Sequence, residues 1–319
     1  MDRVRSVAEV VLYEGHLLWP SRRPAREARQ RWTVGGVYPR PYAERAGEPW
    51  AVRAEFLMED ARGADVEFTL RFLHAVHRQV MDGGVPVEEA RVGGGTVTTR
   101  REAREREITS GRVSVARLLR SPVRVPVAVA AGTDDEELGG GIRFTRVWSR
   151  VDGTVSLSAA HAGDGVVRLR AEVVNTGGGD GTDQAVHAGM MCAHLVARAG
   201  GGSFVSPGHP PDRLAEAAAA CSSEGLWPVL AGAPGTRDTV LAAPVVLYDW
   251  PQVAPESTGD PFDGTEADRL LVLGVLSLSE EERRELAASD PRAAELLERC
   301  MALAGGPRGR DGHVGGDAG

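Results

Sequence analysis

The sequence predicts a β-rich α+β protein: an antiparallel β-sandwich with a smaller mixed α/β C-terminal portion and two C-terminal helices. Three observations carry that expectation. Up to Asn175, apolar and polar residues alternate in short runs, the period of half-buried strands. Gly-Gly, Asp-Gly and proline punctuate those runs, as antiparallel hairpins require. Beyond Gly177 the grain changes to alanine-rich and acid-rich segments with helix-start signals. The expected organisation is a sandwich portion at 1–176 and a mixed portion at 177–304 packed on it in one core. A Gly-rich tail at 305–319, nearly without apolar side chains, is expected to be disordered.

In chain order, 7–18 reads as a strand with a bulge at Gly15, closed by Trp19-Pro20 because proline offers no N–H to a ladder. Residues 21–31 are an arginine-rich loop or short helix, and a strand follows at 31–34. Strands are expected at 50–59 and at 64–80, where Val66, Phe68, Leu70 and Phe72 share one face. The triple glycine at 93–95 precedes a highly charged run at 96–108 with strand-like threonines at one end. With Pro122 and Pro126, 123–130 can be an edge strand at best. Residues 134–137 read as an acidic turn. Strands at 142–150, 155–160 and 166–174 are expected to be joined by turns at Asp152-Gly153 and Gly163-Asp164-Gly165.

Residues 185–199 read as helix or strand, and 203–206 as a short strand. A helix at 213–222 would be N-capped by Asp212. Strands follow at 227–230 and 240–248. Ser279-Glu280-Glu281-Glu282 forms a capping box for a helix to about Ala288, and Asp290-Pro291 opens a second through Leu303. Two segments echo each other: Val10-Val11-Leu12-Tyr13-Glu14 and Val245-Val246-Leu247-Tyr248-Asp249, each ending near a Trp-Pro. The echo suggests that both ends of the fold meet as strands of one core.

Composition removes several functions. All 37 basic residues are arginine. Without lysine, Schiff-base catalysis and a phosphate loop of the Gly-Lys-Ser/Thr type are excluded. The net charge of −8 argues against nucleic acid, whose binding depends on cancelling phosphate charge. The three cysteines, Cys192, Cys221 and Cys300, are widely spaced and build neither a disulfide framework nor a zinc ribbon. No apolar run suits a secretory signal or a membrane span, so a soluble cytoplasmic protein is expected.

Candidate sites are few. The glycines at 177–181 sit where a dinucleotide fingerprint would, but Thr182 or Gln184 stands where its last glycine is needed. There is no Gly-x-Ser-x-Gly elbow. His187, Cys192 and His194 form the only tight metal-type constellation; on a strand, Cys192 and His194 would share a face. Against that, a small core cysteine flanked by histidines is the simpler reading. His74 and His77 fall on opposite faces of a strand. Acids gather at Asp249, Glu256, Asp260, Asp263, Glu266 and Asp268, without the alternation of a calcium loop. Asp263-Gly264-Thr265-Glu266 is more simply a helix start.

The stretches Val11-Leu12-Tyr13-Glu14-Gly15-His16-Leu17-Leu18-Trp19-Pro20, Arg31-Trp32, Tyr248-Asp249-Trp250-Pro251-Gln252-Val253-Ala254-Pro255-Glu256-Ser257 and Phe262-Asp263-Gly264-Thr265-Glu266 together resemble an uncharacterised actinobacterial protein family. That family is associated with gene clusters of uptake nickel–iron hydrogenases. His16 and Trp19 depart from the tyrosines expected there. The resemblance implies a genomic setting and no reaction. The resulting expectation is a non-enzymatic accessory or assembly protein for a metalloenzyme complex, with no cofactor of its own. Its protein partner would be hydrogenase subunits or maturation factors. Recognition would run through Tyr13, Glu14, Trp19, Asp249, Trp250, Glu256, Asp263 and Glu266. The alternative is a metal-assisted, hydrolase-like enzyme using the acids from Asp249 to Glu266 with Glu14.

Overall fold

The computed structural model describes residue 7 and residues 35–251. All of them lie in one compact unit, Met1–Pro261. The fold is built on the long strand β2 (Asp65–Asp82), whose alternation places Val66, Phe68, Leu70 and Phe72 in the main core. It belongs to a sheet ordered β14 (Trp227–Leu230), β15 (Thr239–Ala243), β12 (Met191–Gly200), β2, β9 (Ile142–Trp148), β8 (Gly132–Gly139). Along its other edge β2 pairs β6 (Arg100–Ser114) and then β3 (Val85–Val87). The facing sheet is ordered β13 (Ser203–Phe204), β1 (Ala51–Glu59), β11 (Val166–Asn175), β10 (Val151–Gly163), β7 (Val123–Val129). Every strand pairing within these sheets is antiparallel, as the fold class expected. Phe56, Leu157 and Leu169 from this sheet meet Phe68, Phe72 and Leu195 from the other, as the two inner faces of a sandwich do.

Local chemistry explains most elements. Gly83-Gly84 and Gly93-Gly94 both have positive φ and make two-residue turns, the second joining β4 (Glu89–Val92) to β5 (Gly95–Thr98). Strand β7 lies at a sheet edge, where Pro126 is tolerated. Asn175, the only asparagine, is buried and donates to Val37 O and Ala188 O while accepting from Gly177 N. It ties the end of β11 to the segments on either side of it.

Several expectations need correction. Residues 134–137 are not a turn but lie within β8, an edge strand whose acids are balanced by arginines. Asp134 pairs with Arg104 and Glu136 with Arg146. Asp152-Gly153 is also no turn: it lies inside β10, and β9 and β10 belong to different sheets. Gly153 is glycine because a Cβ there would come within 2.6 Å of Val174 O and 2.5 Å of Met190 Cε. The 185–199 segment is both helix and strand, divided between Thr182–His187 and β12. The expected helix at 213–222 shrinks to a 3-10 turn, Asp212–Leu214, and Ala215–Ala219, and Asp212 makes no side-chain cap.

The strand expected at 240–248 stops at Ala243, because Pro244 cannot continue the ladder. Residues 245–248 form no strand: Val245 and Leu247 pack inward while Val246 and Tyr248 are exposed. Val7, read from sequence as strand, is helical, and it packs in the same cluster as Leu247, Val196 and Leu241. Val7 and Leu247 therefore share one core. Residues 10–13, the expected C-terminal helices and the expected disordered tail lie outside the described residues. No described helix is long and apolar enough to cross a membrane.

Candidate functional site

The metal-type constellation is taken up by the fold itself. Cys192 has φ 52° at an irregularity in the β12–β2 pairing, between Met191 and His194. Its side chain packs with Leu73, Ala75 and Val186, and burial pushes the thiol up to about 12. His194 is fully buried, and burial pushes its imidazole down to about 4. Its Nδ1–H donates to Cys192 O at 3.1 Å, which leaves Nε2 as an acceptor without a partner among the described residues. His187 fills a gap along one edge of β2, between the end of the β12 pairing at Leu73 and the start of the β9 pairing at His77. Its carbonyl accepts from His74 Nε2. Among the described residues no group of three or more His, Cys, Asp or Glu is placed to hold a metal ion.

The aromatic and acid at 249–250 are likewise consumed internally. Asp249 Oδ1 accepts from Leu230 N at 2.8 Å, and its other oxygen accepts from Ser206 Oγ. Trp250 Nε1 donates to Thr236 O at 2.7 Å and the ring packs on the main core. Both side chains thus have partners inside the fold. Ser206, Asp249 and His209 cluster, but the acid bonds the serine directly, whereas nucleophile activation needs the histidine between them. Tyr13, Glu14, Trp19, Glu256, Asp263 and Glu266 lie outside the described residues. A small shallow cleft is lined in part by Glu55, Ser206 and Cys221. Its thiol is pushed up to about 11 by burial and by Glu55, which leaves no thiolate for nucleophilic work near neutrality.

Chemistry-bearing side chains that remain open converge where the two sheets part. Here the chain crosses between sheets twice, from β7 to β8 and from β9 to β10. Cross-strand register sets the cluster: His74 pairs Arg104 and Phe72 pairs Arg106 on β6, while β9 brings Trp148 alongside. Arg104 and Arg106 are two residues apart, so both project on the same face as Ile108, which packs on the core. The Arg104 guanidinium lies 4.6 Å and that of Arg106 5.6 Å from the Trp148 ring centre. Trp148 is itself fixed: Nε1 donates to Ala130 O at 3.0 Å, and the ring lies so close over Gly132 that no Cβ fits there.

His74 forms the floor. It is fully buried, and burial pushes the imidazole down to about 4, so it is neutral near pH 7. Donation from Nε2 to His187 O makes Nδ1 the acceptor, and Arg106 Nε and Nη2 each approach it at 3.4 Å. Arg106 is half-buried, with no carboxylate in ion-pair reach among the described residues; burial and the Arg104 charge hold its pKa below the usual arginine range. Just outward, Glu102 bridges Arg78 at 2.7 Å and Arg146 at 2.9 Å, with Arg78 stacked 4.1 Å from the Phe144 ring centre. In that network each arginine reaches a carboxylate, whereas Arg106 in the notch has none among the described residues. Sequence reading passed over this notch; the visible signal was the alternation Arg104, Arg106, Ile108 within the charged run. Compared with known proteins, the chain matches no protein-family model and no curated protein.

Proposed function

We propose that the chain is a non-enzymatic accessory protein that acts by recognising a protein partner, with the notch of Arg104, Arg106 and Trp148 as its docking centre. The observation that carries this reading is the composition of the notch: two stacked guanidiniums and a fixed indole, with no nucleophile. Its one histidine is neutral and has both ring nitrogens engaged, so it offers no free base. Arginine and tryptophan are the side chains that dominate binding energy at protein interfaces. The resemblance of residues 11–20 and 248–257 supplies a setting, the assembly of an uptake nickel–iron hydrogenase in the cytoplasm. The metal-assisted alternative draws less support, since Asp249 is spent on Leu230 and Ser206.

The test is capture of partners from the native host by the tagged chain and by an Arg104→Glu/Arg106→Glu variant of equal thermal stability. A stoichiometric partner held by the first and lost by the second is expected. Equal retention by both would overturn the assignment of this surface.

A further inference from the structure

We infer that the notch binds a carboxylate of an acidic peptide segment, seated in the plane of the Arg106 guanidinium beside Arg104. This inference rests on the docking reading above and specifies its chemistry. Arg104 lies over the Trp148 ring with Nη2 on Asp134, and Arg106 directs Nε and Nη2 at His74, so among the described residues the Arg106 Nη1 N–H groups face no hydrogen-bond acceptor and suit an oxygen in the guanidinium plane. The same face already shows how such an acceptor is held. One turn of register away, the Glu102 carboxylate bridges two guanidiniums, Arg78 and Arg146. At the notch the equivalent pair has a carboxylate on one side alone, Asp134, at 3.2 Å from Arg104. Among the described residues Arg106 has only a neutral imidazole nitrogen as acceptor, at long range.

A carboxylate fits better than a phosphate. Asp134 and Glu136 flank the site on β8, and their charges oppose a dianion more strongly than a monoanion. Among the described residues no helix begins at the notch to offer the backbone N–H groups with which phosphate sites are built. The partner segment is therefore acidic and extended, presenting a carboxylate against an Arg–Trp wall.

The probe is a hexaglutamate peptide titrated calorimetrically at fixed ionic strength, with inorganic phosphate as the competing ligand. Peptide binding should weaken roughly tenfold or more in Arg106→Gln, the loss of a charge-assisted hydrogen-bonding group. Arg106→Lys keeps the charge without the planar fork and should recover only part of the affinity. Arg124→Gln, on exposed β7, should bind as wild type. Thermal unfolding of each variant establishes that it is folded. Phosphate binding more tightly than the peptide would overturn the carboxylate assignment, and peptide binding unchanged in Arg106→Gln would overturn the site. Arg106-dependent peptide binding without any captured host partner would leave the site standing and remove the accessory role. A captured partner that depends on the notch, with no peptide binding, would do the reverse.

Discussion

Replacing Glu102 by glutamine removes the charge that holds the outer part of β2, β6 and β9 together. Glu102 makes charge-assisted bonds to Arg78 at 2.7 Å and Arg146 at 2.9 Å, and a longer one to Arg100 at 3.4 Å. Each of the two short bonds is worth about 1.5–3 kcal/mol. The carboxylate retains 22% exposure, which favours the low end, so Glu102→Gln should cost about 3 kcal/mol in urea unfolding. Arg78, 6% exposed, would be left without its acid, and a buried charge without a partner is the costlier half of such a change. The pH dependence has a definite sign. Burial pushes the Glu102 carboxyl up, but the Arg146 hydrogen bond and the charges of Arg78, Arg146 and Arg100 outweigh it and hold it below the ordinary range. Its stabilisation is therefore complete above the unfolded carboxyl pKa, about 4.3, and is lost as pH falls through the lower folded value. The variant should show a flatter acid limb, and Glu102→Gln should be non-additive with Arg146→Met. A cost within about 0.5 kcal/mol, with an unchanged acid limb, would refute the reasoning.

Other outcomes follow from single sites. Gly153→Ala should cost about 1–3 kcal/mol, because its methyl would press on Val174 O, which cannot move without breaking β11; neutrality would show that the close approach is not what requires glycine there. Asp249→Ala should cost about 1–3 kcal/mol by orphaning Leu230 N, while exposed Val246→Ala should stay within about 0.5 kcal/mol; thermal unfolding separates them. Cys192 is buried with its thiol pushed up to about 12, so iodoacetamide at pH 8 should leave it unmodified in native protein; its alkylation, seen by mass spectrometry, would show that β12 opens readily.

The parts of the fold legible in the sequence were those decided by alternation. Strands β1, β2 and β11 read correctly because one side chain in two enters the core, and β7 because Pro122 and Pro126 confine it to an edge. What failed depended on distant neighbours. Gly153 resembles a turn glycine until Met190 is seen lying against it. The acids of β8 resemble a turn until Arg104 and Arg146 are placed across from them. Val245 to Tyr248 keeps a strand's alternation, but Pro244 has already ended the pairing. The notch was illegible for the same reason: residues 74, 106 and 148 meet only because β2 pairs β6 along one edge and β9 along the other. Asp249 and Trp250 drew notice as an unusual local word, and their partners Ser206, Leu230 and Thr236 could not be read from it.

The docking claim is tested most directly by site-specific photocrosslinking in the native host. A photoreactive residue is placed at exposed Ser149, beside Trp148, or at exposed Val246, in the stretch that the sequence singled out. The account predicts a crosslink from position 149 to an acidic segment of a partner, abolished by Arg106→Gln, and none from position 246. A crosslink from position 246 with none from position 149 would contradict it.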